Sequence, residues 1–497
     1  MSKIFICLIL LINAISVVGQ AKHEKTSPSD IIIEGETTDN LTIFALTIGS
    51  NTTTAPYSRH EFKVGNKALF KIVLPGTSDF TYVNFMTSST NDVSSWNSYD
   101  NMYIMEKGDR ITCKLSNEYY EFTGKGSEKL NCQSEIYRLN FSNNDGEIKL
   151  LQEERYKEYF SIIKRRMDSI YSQQIAVINK YAPGMGENMT KIMMANCYGN
   201  KYYTLLRSNT IKATRSSGSI KFLKAFLESE IYKGIDNDLN HKIDEKHLVA
   251  SSVYCNFLLE KIIFNNLLDK QKDVLRPSII DHVFNSITQD YKGLVREKLL
   301  TLFFFRFKAN KGVLGYLDNA LMYVKNKEFR DIVIQIKNIT TKGSAFFPFE
   351  LQDTKGNIVK LSDLKDKIVI LDFWYTGCTW CKIQYQGMRP IIDKYKDNPK
   401  VAFVSISIDK NKDTWLKSVV NGDYTDPDGL NLYTNGLGAI HPVIEKNNIS
   451  SYPAVFILKK GEIFSAKPPR LNSMLTEKLS TEAKNAFVKL IEEALLD

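Results

Sequence analysis

Ile368-Val-Ile-Leu-Asp-Phe-Trp-Tyr-Thr-Gly-Cys378-Thr-Trp-Cys381-Lys382 is the stretch on which the reading of this chain turns. Ile368 to Leu371 form a short apolar run rich in β-branched residues, the pattern of a central parallel strand buried on both faces. Asp372-Phe373-Trp374 ends it. A Gly-containing turn follows, then two cysteines spaced Cys-x-x-Cys, then a segment that reads as helix. Cys378 should therefore sit at a helix N-terminus, where unpaired N–H groups and the helix dipole favour negative charge. A thiol so placed has its pKa lowered from about 8.5 into a range of about 3.5 to 7.5. The thiolate is the attacking species in disulfide exchange. Cys381 lies one helical turn on, within reach of a mixed disulfide formed at Cys378, and Lys382 adds a positive charge.

The alternatives are a zinc half-site or two packing cysteines. A structural zinc site takes four ligands, usually from a second Cys or His pair. The sequence has no second Cys-x-x-Cys, and its six histidines are scattered. Strand, turn, Cys-x-x-Cys and helix together are the thioredoxin-like redox arrangement. The segment from Gly343 to Leu364, followed by the stretch above, resembles the TlpA-like thiol–disulfide oxidoreductases. The resemblance covers about the last third of the chain. Asn448-Ile-Ser-Ser-Tyr452-Pro453-Ala-Val-Phe-Ile-Leu458 is similar to the family's cis-proline loop and the strand after it.

At the other end, Met1-Ser-Lys3 and the apolar run Ile4 to Val18 read as a secretory signal peptide over residues 1–19, cut after Gly19. The run is too short to span a bilayer comfortably. The expected product is a soluble protein, periplasmic or otherwise exported, not membrane-spanning after cleavage. A length of 497 residues implies several domains. The net charge of +9 is mild for that length, and no dense Lys/Arg tract is interleaved with aromatics, so nucleic acid is not an expected partner.

Short β-type runs begin at Ile31, Leu41, Ala68, Tyr82, Ile111 and Tyr119, separated by turn residues such as Pro75-Gly76 and Lys107-Gly108-Asp109. They predict an antiparallel β-sandwich over residues 28–140. This region resembles the β domain of unknown function that often precedes TlpA-like domains in Bacteroidetes proteins, and Gly124-Lys-Gly-Ser-Glu128 resembles its closing motif. Cys113 and Cys132 fall in neighbouring predicted strands. A disulfide between them would close a loop of roughly 18 residues and stabilise the domain by about 3 kcal/mol; two free buried thiols are the alternative. From Asp145 the apolar period lengthens to three and four residues, as in Tyr156, Tyr159, Phe160, Ile163 and Met167. An all-α domain is expected over residues 145–338, with Cys197 and Cys255 as packing residues. Asp236-Asn-Asp238-Leu-Asn240 begins like a calcium loop, but His241 and His247 stand where Gly and Glu are required, and it reads as a solvated turn.

The expected architecture is thus multidomain α+β: an N-terminal β-sandwich, a central helical domain and a thioredoxin-like α/β/α domain over residues 343–497. Val401 to Ile408 reads as a second buried parallel strand, Asn421 to Gly438 as a loop over the active-site face, Ala454 to Phe464 as a hairpin, and Glu477 to Leu496 as the last helix. The resemblance implies that Cys378 attacks, that Cys381 resolves, and that the Tyr452–Pro453 bond is cis. Substrate contacts are expected from Trp374, Thr379, Trp380, Tyr452 and Pro453. Asp372 stands where thioredoxins carry a buried Asp, and is the expected acceptor of the Cys381 proton. Two residues depart from the family. Gln384 replaces a Glu, and Gln386-Gly387 stands where a helix-kinking Pro is common.

The residues leave the direction of electron flow open; the resemblance implies reduction of protein disulfides, with a membrane thiol donor as the electron source, and no cofactor is expected. A disulfide oxidase or isomerase, and a binding protein with an appended redox domain, stand as alternatives. A peroxidase fits poorly, because its lone Cys in a Thr/Pro-containing loop is missing.

Overall fold

The computed structural model describes residues 27–37, 43–49, 58–63, 69–76, 79–88, 102–115, 120–139, 145–215, 220–235, 243–269, 274–275, 279–307, 310–449, 451–471 and 477–497. The expected signal peptide and the Asp236–Asn240 turn lie outside them. Contacts divide the chain into two compact units, Met1–Arg306 and Phe307–Asp497.

The first unit opens with eight strands: β1 (Ile31–Thr37), β2 (Ile43–Gly49), β3 (Ser58–Lys63), β4 (Leu69–Leu74), β5 (Phe80–Ser88), β6 (Tyr103–Glu106), β7 (Arg110–Leu115) and β8 (Tyr120–Lys125). They form two four-stranded sheets, ordered β4-β1-β7-β8 and β3-β2-β5-β6. The all-antiparallel expectation needs correction, because β1 and β7 run parallel from Ile32↔Arg110 to Thr37↔Leu115. A tight turn imposes antiparallel pairing only on the two strands it joins. Between β1 and β7 the chain passes through five other strands. Alternation along β5 explains what lies on each side of it. Val83 and Phe85 enter a core with Ile31, Phe70 and Phe122 of the first sheet. Tyr82 points the other way and packs with Ile178, Ile192 and Cys197 from two long helices, Tyr156–Met185 and Glu187–Arg215. The β and helical regions therefore share apolar contacts, where the sequence suggested two separate domains.

The Gly124–Glu128 motif, expected to close the β domain, ends β8 at Lys125 and begins a helix, Ser127–Arg138. Gly126 caps it at φ 92°, and a Cβ there would lie 2.2 Å from Asp109 Oδ1. Asp109 and Glu106 are taken up by the buried Lys129 ammonium at 2.8 and 3.1 Å. Cys132 is consequently on a helix, not a strand. It lies in the helix-side cluster while Cys113 lies in the sheet core, and both are free thiols, so the Cys113–Cys132 bridge is not formed. The helical region is also interrupted, by a two-residue hairpin of β9 (Leu268–Asp269) and β10 (Val274–Leu275). Among the described residues no helix is long and apolar enough to cross a membrane.

The second unit takes two helices, Leu317–Tyr323 and Lys327–Thr340, that the sequence had placed in the helical domain. Its sheet has seven strands: β11 (Glu350–Asp353), β12 (Ile358–Lys360), β13 (Ile368–Trp374), β14 (Val401–Ser407), β15 (Leu430–Tyr433), β16 (Ala454–Lys459) and β17 (Glu462–Ser465). The order is β12-β11-β15-β14-β13-β16-β17. β13 is internal, parallel to β14 from Ile368↔Val401 to Trp374↔Ser407 and antiparallel to β16. All seven of its residues are buried, which is what its unbroken apolar run requires. Val369, Leu371 and Phe373 face one core. Ile368 and Ile370 face another, roofed by Met388 and Ile391 of the Thr379–Tyr395 helix and by Phe487 and Ile491 of the terminal helix, Glu477–Leu496. β15 lies inside the stretch expected to be loop. It is four residues long, and its Asn431 and flanking glycines hide it among turn residues.

Candidate redox site

β13 ends at the edge of its core, and the chain turns through Tyr375-Thr376-Gly377 into the Thr379–Tyr395 helix. Gly377 adopts φ 92°. Cys378 is the N-cap residue, and its sulfur accepts the Cys381 N–H at 3.1 Å. Its carbonyl accepts the N–H groups of Cys381 and Lys382, both at 3.1 Å. Cys378 and Cys381 are joined in a disulfide. Cys378 is 4% exposed and Cys381 is fully enclosed, so the first sulfur is the one an external partner meets. The N-terminal helix placement read from the spacing is present, and one helix N–H, that of Cys381, is directed at the Cys378 sulfur, as favours a thiolate.

The turn is held by groups that the sequence did not flag. Asp409, just past β14, accepts the Thr376 N–H at 2.9 Å on Oδ1 and the Thr376 hydroxyl at 2.8 Å on Oδ2. Ser407 donates to the same Oδ2 at 2.9 Å, and Ser418 and Thr376 share a hydroxyl contact at 2.8 Å. Ser405, Ser407 and Asp409 recur every second residue. That alternation at the end of an apolar strand was the available signal, since it places polar groups along one line.

Trp374 is wholly buried. Its Nε1–H donates to Ser405 Oγ at 2.6 Å, and its ring stacks on Tyr424 with centroids 5.0 Å apart. This corrects its expected role, because a side chain with no exposed surface cannot touch a substrate. Thr379 and Trp380 are exposed, Trp380 by 59%. The Tyr452–Pro453 bond is cis, as the resemblance implied. Tyr452 packs against the cluster that holds both cysteines, and its ring meets Tyr375 edge-on at 5.8 Å. The site thus gathers Cys378, Cys381, Tyr375 and Tyr452, with Thr379 and Trp380 on the first turn of the helix.

Asp372 points to the same side of β13 as Ile370 and Trp374, two residues from each. It is buried, its Oδ1 has no hydrogen-bond partner, and burial holds its carboxyl well above the ordinary carboxylate range. Gln384, one turn beyond Cys381, accepts the Leu471 N–H at 3.0 Å and keeps its own Nε2 unpartnered. Gly387 lets the same segment approach, since a Cβ there would lie 2.7 Å from Leu471 Cβ and 2.8 Å from Leu471 O.

A helix-capping Cys-x-x-Cys behind a buried central strand, with a cis-proline loop beside it, defines a thioredoxin-like domain. Residues 343–422 match the AhpC/TSA family. Over 153 residues the chain is 28% identical to the thiol-disulfide oxidoreductase ResA of Bacillus subtilis, spanning 31% of this chain and 79% of that protein. Over 117 residues it is 28% identical to the thioredoxin-like protein YneN of the same organism, spanning 23% and 64%. A solved thioredoxin domain of a thiol-disulfide oxidoreductase from Bacteroides vulgatus is 22% identical, covering 29% of this chain and 96% of that one, with a TM-score of 0.24. The second unit thus carries a thioredoxin-like domain that matches the AhpC/TSA family over residues 343–422 and has thiol-disulfide oxidoreductases of the ResA type among its homologues.

Proposed function

We propose that this protein is an exported reductant of protein disulfides working through Cys378 and Cys381. The Cys378 thiolate attacks one sulfur of a client disulfide, forming a mixed disulfide and releasing the client's other sulfur as thiolate. Cys381 gives up its proton and attacks Cys378. The client leaves with both thiols reduced, and the enzyme holds the two-electron oxidised disulfide. Asp372 is the base for the Cys381 proton, because burial holds this enclosed carboxyl well above the ordinary carboxylate range, so it takes up a proton more readily than an exposed carboxylate does. Thr379, Trp380, Tyr452 and Pro453 receive the client. A membrane thiol donor returns the pair to its reduced form. A signal peptide over 1–19 completes this reading of an exported chain.

The observation that carries the proposal is the cap geometry, with the Cys378 sulfur accepting a helix N–H while Cys381 lies enclosed behind it. Insulin reduction by dithiothreitol tests it. The protein should accelerate precipitation of the insulin B chain, and Cys381→Ala should trap mixed disulfides that Cys378→Ala does not. The opposite trapping pattern reverses the roles. No acceleration at all favours a binding protein with an appended redox domain.

A further inference from the structure

The turn between the 412–421 helix and β15 carries two residues aimed at the redox centre from outside it. Tyr424 stacks on Trp374 with the ring planes 8° apart, and its hydroxyl oxygen accepts the Gly377 N–H at 3.0 Å. It thus grips the turn at both ends, at the last residue of β13 and at the residue before Cys378. Asp423, its neighbour, pairs with Lys382 at 2.8 Å. Lys382 lies four residues after Cys378, on the same face of the helix, and its N–H is bonded to the Cys378 carbonyl. Left alone, that ammonium would favour a thiolate at Cys378. The Asp423 carboxylate offsets it.

We infer that Asp423 and Tyr424 are positioning residues of the redox centre, Tyr424 fixing the turn that presents Cys378 and Asp423 cancelling the charge of Lys382, so that the pair is held towards the reducing side. The direction follows from the exchange equilibrium. A thiolate stabilised by positive charge stabilises the reduced form and makes the disulfide a stronger oxidant. Cancelling the charge does the reverse. Both partners are a little under half exposed, so solvent screens the effect and it should be moderate. The inference rests on the proposed exchange at Cys378.

The test uses the full chain, reduced, with iodoacetamide alkylation of Cys378 followed by mass spectrometry across pH 5–9, and equilibration against glutathione buffers. Asp423→Asn should speed alkylation near pH 6 by about three- to tenfold. It should also shift the glutathione equilibrium towards the dithiol by a similar factor, a tenfold shift being about 30 mV. Asp423→Glu should restore the original profile, and Lys382→Met in the Asp423→Asn background should bring it back close to wild type. Tyr424→Phe keeps the stack on Trp374 and loses only the acceptor for Gly377. It should slow insulin reduction about threefold without moving the alkylation midpoint. An unmoved profile in Asp423→Asn, or one unchanged by adding Lys382→Met, overturns the charge role. Full insulin turnover in Tyr424→Phe overturns the placement role. A wild-type Cys378 that resists iodoacetamide throughout overturns the exchange reading itself, and this inference with it.

Discussion

Six described cysteines divide into two groups that differ in surroundings more than in burial. Cys113, Cys132, Cys197 and Cys255 lie within the first unit as free thiols. Burial pushes Cys113, Cys132 and Cys255 up to about 12, and Cys197 is raised by the same cause. Cys378 is nearly as enclosed, at 4% exposure, yet it caps a helix and its sulfur accepts an N–H. Low exposure alone makes a cysteine inert. Low exposure at a helix start, with an N–H aimed at the sulfur, is instead the setting that favours a thiolate.

The contrast breaks most directly at Cys378. Cys378→Ser should lower insulin reduction by at least about 100-fold, whereas Cys113→Ser should leave it within about twofold, since loss of a covalent nucleophile removes the pathway itself. Comparable activity in the two variants would dissolve the distinction. The cost of Cys113→Ser should instead appear in stability. A hydroxyl left unpaired in that core costs about 1–3 kcal/mol, read as a lower urea midpoint.

Gly387→Ala asks whether the wall behind the pair is as tight as drawn. The added methyl meets Leu471, so the variant should lose about 1–3 kcal/mol of stability by urea unfolding, and no loss would mean that the segment yields.

Asp372→Asn sharpens the comparison from the side of charge. The folded carboxyl keeps its proton above the pH at which the unfolded chain releases it, near 4. Wild type therefore loses stability as pH rises from about 4 towards the folded pKa. The Asn variant escapes that loss, and should be more stable than wild type at pH 7 but not at pH 3, read as the urea midpoint at the two pH values. It should also slow resolution of the mixed disulfide by about tenfold near neutrality, with the first attack by Cys378 unchanged in stopped-flow traces. An unchanged resolution rate removes Asp372 from the chemistry.

The second unit was largely legible in the sequence because β13, β14 and β16 each announce themselves as apolar runs, and because cysteine spacing and the Tyr452-Pro453 pair are local signals. What escaped depends on contacts between distant segments. β15 is four residues of mixed polarity, and only its place between β11 and β14 makes it a strand. Trp374 looked available beside the cysteines, but Ser405 and Tyr424, 31 and 50 positions away, enclose it. In the first unit the β-type runs were visible, while β3, reading Ser-Arg-His-Glu-Phe-Lys, carries no apolar alternation to betray it. Cys132 was misplaced because a glycine-rich motif reads equally as the end of a strand or the start of a helix.

Ser405, Ser407 and Asp409 also act before any substrate arrives. A sheet built from apolar runs can pair in more than one alignment, since a shift of two residues keeps every side chain on its own face. Along β14 such a shift would move Ser405 away from the Trp374 indole and Asp409 away from Thr376 together, stranding polar groups in the interior. The same bonds that hold the turn therefore serve as a key that fits one alignment, and the chain cannot complete its sheet in error without also leaving its redox centre unassembled.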